Sequence, residues 1–453
     1  MSVVTIQLGQ CGNQIGFDLF KLIAFDASLT SRKSGLLVTS NDDYQDEVVE
    51  RFFEESDNKN QKADLTARAV LVDTEPKVIN QCILGSEKYG GWSFSRNNTF
   101  HKKQGSGNNW AQGYERYGKE VAHEIIDLTR KEVEKCDLLG GFLVIMSLAG
   151  GTGSGLGTYF THCLKDEFED SCVVNNVIWP YSSGEVILQN YNTVLSLAHL
   201  YESSDAIIVM QNDNLNKICT KLMNLKNVSF DDINKVISHK IASALQPAFS
   251  GTSLRRSNIL QDLISGLCPF PGCKLLSLKN IPQISEKSIE YTTFVWPAML
   301  KHLRQMLVAD AAMEEGIDWN VRVPSFTKVK QKIDRLLFNQ SLANALILRG
   351  KDCSDARVED FQHKSLYASW IPKDEASSVW YQEKAFSKYE KSATLISNSQ
   401  GFVKPINSVI QKAWDMFASH AYVHQYEKYG LTDDDFIDSF GCLEQIVSDY
   451  QNL

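Results

Sequence analysis

The sequence predicts an α/β fold: a parallel sheet with flanking helices in the first half, an α+β unit after it, and helices at the C-terminus. Three observations predict it. Short runs rich in Val, Ile and Leu recur at Val3–Leu8, Arg68–Asp73, Gly140–Ser147, Val173–Pro180 and Ala206–Gln211. Strands of that texture belong to sheets covered on both faces. Segments with helical spacing separate them, and the resulting βαβα order places helices on both sides of a parallel sheet. Beyond the loop Pro247–Ser257 the order becomes mixed, with strand candidates at Lys274–Leu278, Ala343–Leu348 and Ala393–Ser397.

The helices follow from their apolar stripes. Within Glu115–Cys136, Val121, Ile125, Ile126, Leu128 and Val133 leave a polar face. Ser229 opens another helix: its hydroxyl can cap free N–H groups, with Asp232 completing a capping box. Phe230, Ile233, Val236, Ile237, Ile241 and Leu245 then form a stripe wide enough for a central helix buried on more than one side. Met299–Ala312 is helical, and Ser408–Tyr429 and Asp433–Tyr450 read as two terminal helices. Residues 27–65, polar and acidic, read as a long surface loop. The expected domains are residues 1–250, 251–395 and 396–453.

Composition narrows the function. The 453 residues carry a net charge of -9 and no long basic run, which removes the electrostatic footprint of a nucleic-acid binder. No apolar run approaches the roughly 20 residues of a membrane span, so membrane insertion is not expected. The ten cysteines form no CxxC pair, and free thiols in a reducing cytoplasm are the expectation.

The strongest motif is Ala149-Gly150-Gly151-Thr152-Gly153-Ser154-Gly155, between a strand and a helix. Glycines let successive N–H groups form an anion nest at a helix N-terminus, and Thr152 and Ser154 add hydroxyl donors. The run contains no lysine and is not a P-loop; GxGxxG spacing also fails, which argues against a dinucleotide oxidoreductase. Phosphate charge must then be met by backbone dipoles and a metal ion. Gly9-Gln10-Cys11-Gly12-Asn13-Gln14-Ile15-Gly16 follows the first strand and serves either a ligand or helix packing. Asp73-Thr74-Glu75-Pro76 offers a carboxylate for Mg2+, or merely a turn acid. Gln104–Trp110 (QGSGNNW) is a second polar loop able to donate to phosphates through residues such as Asn108. Parallel strands deliver the loops at their C-terminal ends to one edge, where ligands of open α/β sheets bind.

In this order and spacing, GQCGNQIG, VDTEP, GSGNNWA and GGTGSG resemble the tubulin superfamily, and the likeness runs from Val3 to the end of the chain. Ala149 replaces the first glycine of that family's usual GGGTGSG. Within the superfamily, QLGQCGNQIG, RKEVEKCD, VIWPYSSGEV and AFSKYEKSA resemble the branch found at centrioles and basal bodies. The resemblance implies GTP or GDP with Mg2+. Gln10, Cys11 and Gln14 match its first phosphate and base loop, and Glu75 its Mg2+-serving acid. Ser147, Gly151, Thr152 and Gly153 match phosphate contacts, Glu185 lies near the ribose position, and Asn212 and Asn234 match the readers of guanine. Phe230 takes the place of a base-stacking tyrosine. An amide offers guanine both a donor and an acceptor.

In this superfamily hydrolysis is completed between subunits: an acid on one positions water against the γ-phosphate held by its neighbour. Counting back from Cys268-Pro269-Phe270-Pro271, Asp262 falls where alpha-tubulin has that acid and beta-tubulin a lysine. Asp262 is therefore the candidate catalytic residue, against a plain surface-helix acid. The expected partners are other tubulins, end to end, together with centriole or microtubule-associated proteins. The expected locations are cytoplasm, cytoskeleton, centriole and cilium basal body, with a role in microtubule triplets and cilium assembly. Ser285–Thr292 does not resemble the lateral-contact loop of wall tubulins, and no long acidic tail follows Tyr450. The competing reading is a structural pseudo-GTPase scaffold that binds GTP without hydrolysing it. His420 and His424 are expected to share a helix face in a structural rather than a zinc-binding role.

Overall fold

The structure, a computed structural model, describes residues 1–33, 40–55, 65–184, 186–250, 258–323, 338–372 and 375–453. Residues 251–257 of the loop Pro247–Ser257 lie outside them. The strands of the first half are β1 (Ser2–Leu8), β2 (Phe53–Glu55), β3 (Leu65–Ala67), β4 (Ala69–Asp73), β5 (Trp92–Ser93), β6 (Thr99–His101), β7 (Leu139–Ser147), β8 (Val173–Trp179) and β9 (Ala206–Gln211). Those of the second half are β10 (Phe249–Ser250), β11 (Leu275–Ile281), β12 (Ser341–Gly350), β13 (Ser377–Gln382) and β14 (Lys391–Ser399). Among the described residues, eleven of them join in one sheet of order β10-β13-β12-β14-β11-β9-β8-β7-β1-β4-β6. From β6 to β9 every pairing is parallel. The sheet crosses into the second half where β11 pairs in parallel with β9; β14 then runs antiparallel to β11.

The helices are α1 (Gly9–Lys33), α2 (Ser40–Phe52), α3 (Pro76–Tyr89), α4 (Lys119–Val133), α5 (Gly157–Glu167), α6 (Gln189–Ser203), α7 (Asn212–Lys217) and α8 (Phe230–Leu245). They continue as α9 (Ile259–Leu267), α10 (Glu286–Ile289), α11 (Trp296–Val308), α12 (Val403–Ala418), α13 (His424–Glu427) and α14 (Asp433–Gln451). Strand alternation distributes the core to two faces. Val4, Ile6, Leu8, Val144 and Met146 pack with residues of α4, α5, α6, α12 and α14. Val3, Leu143 and Ile145 pack with residues of α1, α3 and α8. This double cover explains why the parallel strands read as mostly apolar runs and not as apolar/polar alternation.

Helix α8 starts where its capping box predicts: Ser229 Oγ accepts from the Asp232 N–H at 3.3 Å, and the Asp232 carboxylate accepts from the Ser229 N–H at 3.1 Å. Its residues from Val236 to Leu245 are buried almost all round, as expected of a helix wedged between the two halves.

Two sequence expectations are corrected. Residues 27–65 are not one long loop: α1 continues to Lys33, and α2 places Tyr44, Val48, Val49 and Phe52 in the core before β2. The acids between these residues occupy the solvent side and mask a helical period. Residues 34–39 and 56–64 lie outside the description. Ser408–Tyr429 is likewise not one helix. It stops at Ala418, and His420 and Tyr422 take left-handed φ values of 48° and 63°. His420 and His424 therefore do not share a helix face.

Candidate functional site

Four loops meet beyond the C-terminal ends of β1, β4, β6 and β7. At Gly9 the chain leaves β1 with φ 69° and passes against Gly153; a Cβ on Gly9 would come 3.1 Å from the Gly153 nitrogen. Asn13 is buried and donates from Nδ2 to the carbonyls of Gly9 (2.8 Å) and Val72 (3.0 Å), tying the first turn of α1 to the end of β4. Three hydroxyls join the other loops: Thr152 Oγ1 lies 2.7 Å from Thr74 Oγ1 and 2.9 Å from Ser106 Oγ. A Cβ on Gly151 would come within 2.6 Å of the Asn109 carbonyl and Ser106 Oγ, so only glycine lets these segments close up.

Asn192 of α6 fastens the assembly from beneath. Its Nδ2 donates to the carbonyls of Asn108 (2.8 Å) and Ala149 (2.7 Å). Its Oδ1 accepts from the Trp110 N–H (3.0 Å) and the Tyr426 hydroxyl (2.7 Å). Asn108 itself has φ 54°. Neither Asn192 nor Thr74 was singled out in the sequence. Thr74 lies within a motif, whereas Asn192 sits in a helix buried on most sides and sends no local signal.

The geometry suits an anion. A wide helical turn, Thr152–Leu156, runs directly into α5, and no side chain caps its N-terminus. Its first N–H groups and the dipole of the continuous helix are thus left for a ligand. Ser147 ends β7, its Oγ accepting from the Ala149 N–H at 3.2 Å. Ser154 Oγ donates to the Gly150 carbonyl, so this hydroxyl is spent within the turn. Gly155 continues the turn, its N–H bonding the Gly151 carbonyl at 2.9 Å.

Gln10, Cys11 and Gln14 lie on the first turns of α1, Gln10 exposed and the other two partly so. Desolvation of the sulfur by the surrounding protein pushes the Cys11 thiol up to about 12, so it lines the site as a neutral group and not as a nucleophile. The carboxylate of Asp73 accepts from the Thr74 N–H at 2.7 Å, and burial pushes it up to about 6; it acts as a turn acid. Glu75 is exposed and does not cap α3, which leaves its carboxylate available to a cation. Among the described residues no group of three or more His, Cys, Asp or Glu could hold a metal unaided. A Mg2+ here would need oxygens from a bound phosphate, with Glu75 serving it from the protein.

Farther along the edge, Asn212 opens α7 and Phe230 opens α8, with Asn234 one turn on. The Phe230 ring is 49% exposed, 6.4 Å from the Tyr181 ring, and offers an open platform of the kind a base stacks upon. Asn234 is buried. Glu185 lies outside the described residues.

Asp262 is nowhere near these loops. Asn258 caps α9 through Oδ1 and donates from Nδ2 to the Gly140 carbonyl at 2.7 Å, which anchors α9 at the beginning of β7. The Gly-rich turn follows the other end of that strand, about 25 Å away at ~3.3 Å per residue. Asp262 cannot reach a nucleotide held by its own chain.

An α/β sheet with an uncapped, glycine-built helix terminus and an aromatic platform on one edge defines a nucleotide-binding protein without a P-loop. Residues 2–220 match the Tubulin/FtsZ family, GTPase domain, and the chain belongs to the tubulin family. Over 460 aligned residues covering all of both chains, it is 51% identical to the tubulin delta chain of Macaca fascicularis and equally to that of Homo sapiens. It is 50% identical to the Canis lupus familiaris delta chain, again over the full length of both. The protein is thus a tubulin-family cytoskeletal protein with a guanine-nucleotide-binding domain. Among the described residues no helix is long and apolar enough to cross a membrane.

Proposed function

We propose that this chain is a delta-tubulin-like GTP-binding protein of centrioles and basal bodies. It binds GTP with Mg2+, associates end to end with other tubulins, and supports microtubule triplets and cilium assembly. Residues 1–250 would carry the nucleotide, 251–395 the intermediate α+β unit, and 396–453 the C-terminal helices. The observation that carries the reading is the polarity of the sheet: phosphate-binding loops at one end, Asp262 at the other. Stacked head to tail, one subunit would bring Asp262 to its neighbour's nucleotide, where a carboxylate can orient or deprotonate the attacking water. Bound Mg2+ would offset phosphate charge; the chain's own residues would hold the phosphates by backbone N–H groups and seat guanine against Phe230, Asn212 and Asn234.

One observation favours a second reading, a scaffold that keeps GTP and never hydrolyses it. Asp262 Oδ2 is buried without a hydrogen-bond partner, turned from the surface where a catalytic oxygen is needed. Chromatography of the nucleotide released on denaturing the purified chain tests the binding. Near-stoichiometric GTP or GDP is expected, GDP marking turnover; a nucleotide-free protein that takes up no Mg-GTP would overturn it.

A further inference from the structure

A cavity of about 270 Å³ lies where β9 and α7 meet β11, α8 and the start of α12. It is separate from the phosphate loops but adjoins the base-reading end: Gln211 and Asn214, which flank Asn212, are in its wall. Met210, Leu215, Ile218 and Phe402 give it an apolar body. Its charges are unbalanced. Lys240, Lys279 and Lys404 line it, against the single carboxylate of Asp310.

That carboxylate is already engaged. Lys279 Nζ donates to Asp310 Oδ1 at 3.0 Å and to the Ala311 carbonyl at 3.1 Å. Lys240 is only 4% exposed, and its Nζ donates to two neutral acceptors, the Leu278 carbonyl (3.1 Å) and Asn280 Oδ1 (2.8 Å). An ammonium has three donors, so each of these lysines keeps one. Burial and the neighbouring Lys279 push the Lys240 ammonium down to about 7. A buried cation without a counter-charge is costly, and an anion beside it removes the cost.

We propose that this cavity binds a small amphipathic carboxylate, its anionic head among Lys240, Lys279 and Lys404 and its apolar body against Met210, Leu215, Ile218 and Phe402. A few convergent polar groups in an otherwise apolar cavity are the usual architecture of a small-molecule site. An inorganic anion would satisfy the lysines and leave the apolar walls wetted. A nucleoside triphosphate would bring more charge than the three lysines balance.

The test uses the full chain and two probes of equal length, sodium octanoate and octanamide, titrated calorimetrically. One octanoate per chain should bind at least tenfold more tightly than octanamide. Lys240→Met and Lys404→Ala should each weaken octanoate at least fivefold and leave octanamide unchanged. Lys404 is exposed, so its variant keeps the fold even where the buried change does not. Octanoate binding no tighter than octanamide, or unaltered in folded Lys404→Ala, overturns the proposal. Sodium phosphate binding as tightly as octanoate overturns the amphipathic assignment.

Discussion

Single side chains here are oriented by chains of donors and acceptors. As an ammonium Lys240 can only donate, so Asn280 turns Oδ1 toward it and presents Nδ2 to His239 Nδ1, 3.2 Å away. His239 Nδ1 then accepts, which requires the neutral ring. Burial beside Phe386 and Tyr389, with Lys240 adjacent, pushes the imidazole from its ordinary value down to about 4. Between that value and about 6.5 the unfolded chain holds a proton that the folded chain refuses. Stability from this site is therefore complete above pH 6.5 and is lost as pH falls toward 4. Urea unfolding at pH 7 and pH 5 should show wild type losing about 2 kcal/mol more than His239→Gln. Equal losses would mean that His239 is not buried neutral. None of this was visible in sequence, because the partners come from α8 and β11, 40 residues apart. Asn192 was hidden for the same reason: its four partners are assembled by folding, whereas Gly151 and Thr152 declare themselves by their neighbours in the chain.

At the scale of elements, legibility depended on whether one segment contained its own reason to form. The parallel strands did, being rich in Val, Ile and Leu on both faces. Helix α8 did, with a capping box at one end and a wide stripe after it. Helix α2 contains the reason too, in Tyr44, Val48, Val49 and Phe52, but its acids outweigh it in a composition reading. The break after Ala418 contained none, since left-handed φ at His420 and Tyr422 is imposed by packing and no Gly or Pro marks it. The α8 cap also bears on the proposed base platform, because it fixes the first turn that displays Phe230. Ser229→Ala should lower stability by about 1 kcal/mol in urea unfolding and weaken GTP binding by loosening that turn. A GTP affinity equal to wild type would separate the cap from the base platform.

For the whole molecule, the parallel sheet is a vector. Every strand from β6 to β9 points its C-terminal end at the edge that holds the candidate nucleotide loops, and the beginning of β7 is where α9 is moored. Such a molecule offers unlike surfaces at its two ends. Head-to-tail contact between unlike surfaces is heterologous and extends into a filament unless rotation closes it. The sequence showed both ends as motifs, yet only the three-dimensional path of β7 shows that they are opposed. Asp262→Ala should then leave the variant's own GTP occupancy at the wild-type level, measured by chromatography of released nucleotide. Phosphate release stimulated by a longitudinal tubulin partner should fall at least tenfold, because general-base assistance contributes about 10²–10⁴-fold in rate. Reduced occupancy in the variant would contradict the opposed geometry. Full occupancy with unchanged phosphate release would remove Asp262 from catalysis and leave the chain as a GTP-bound scaffold, with its inward-facing Oδ2 a consequence of packing.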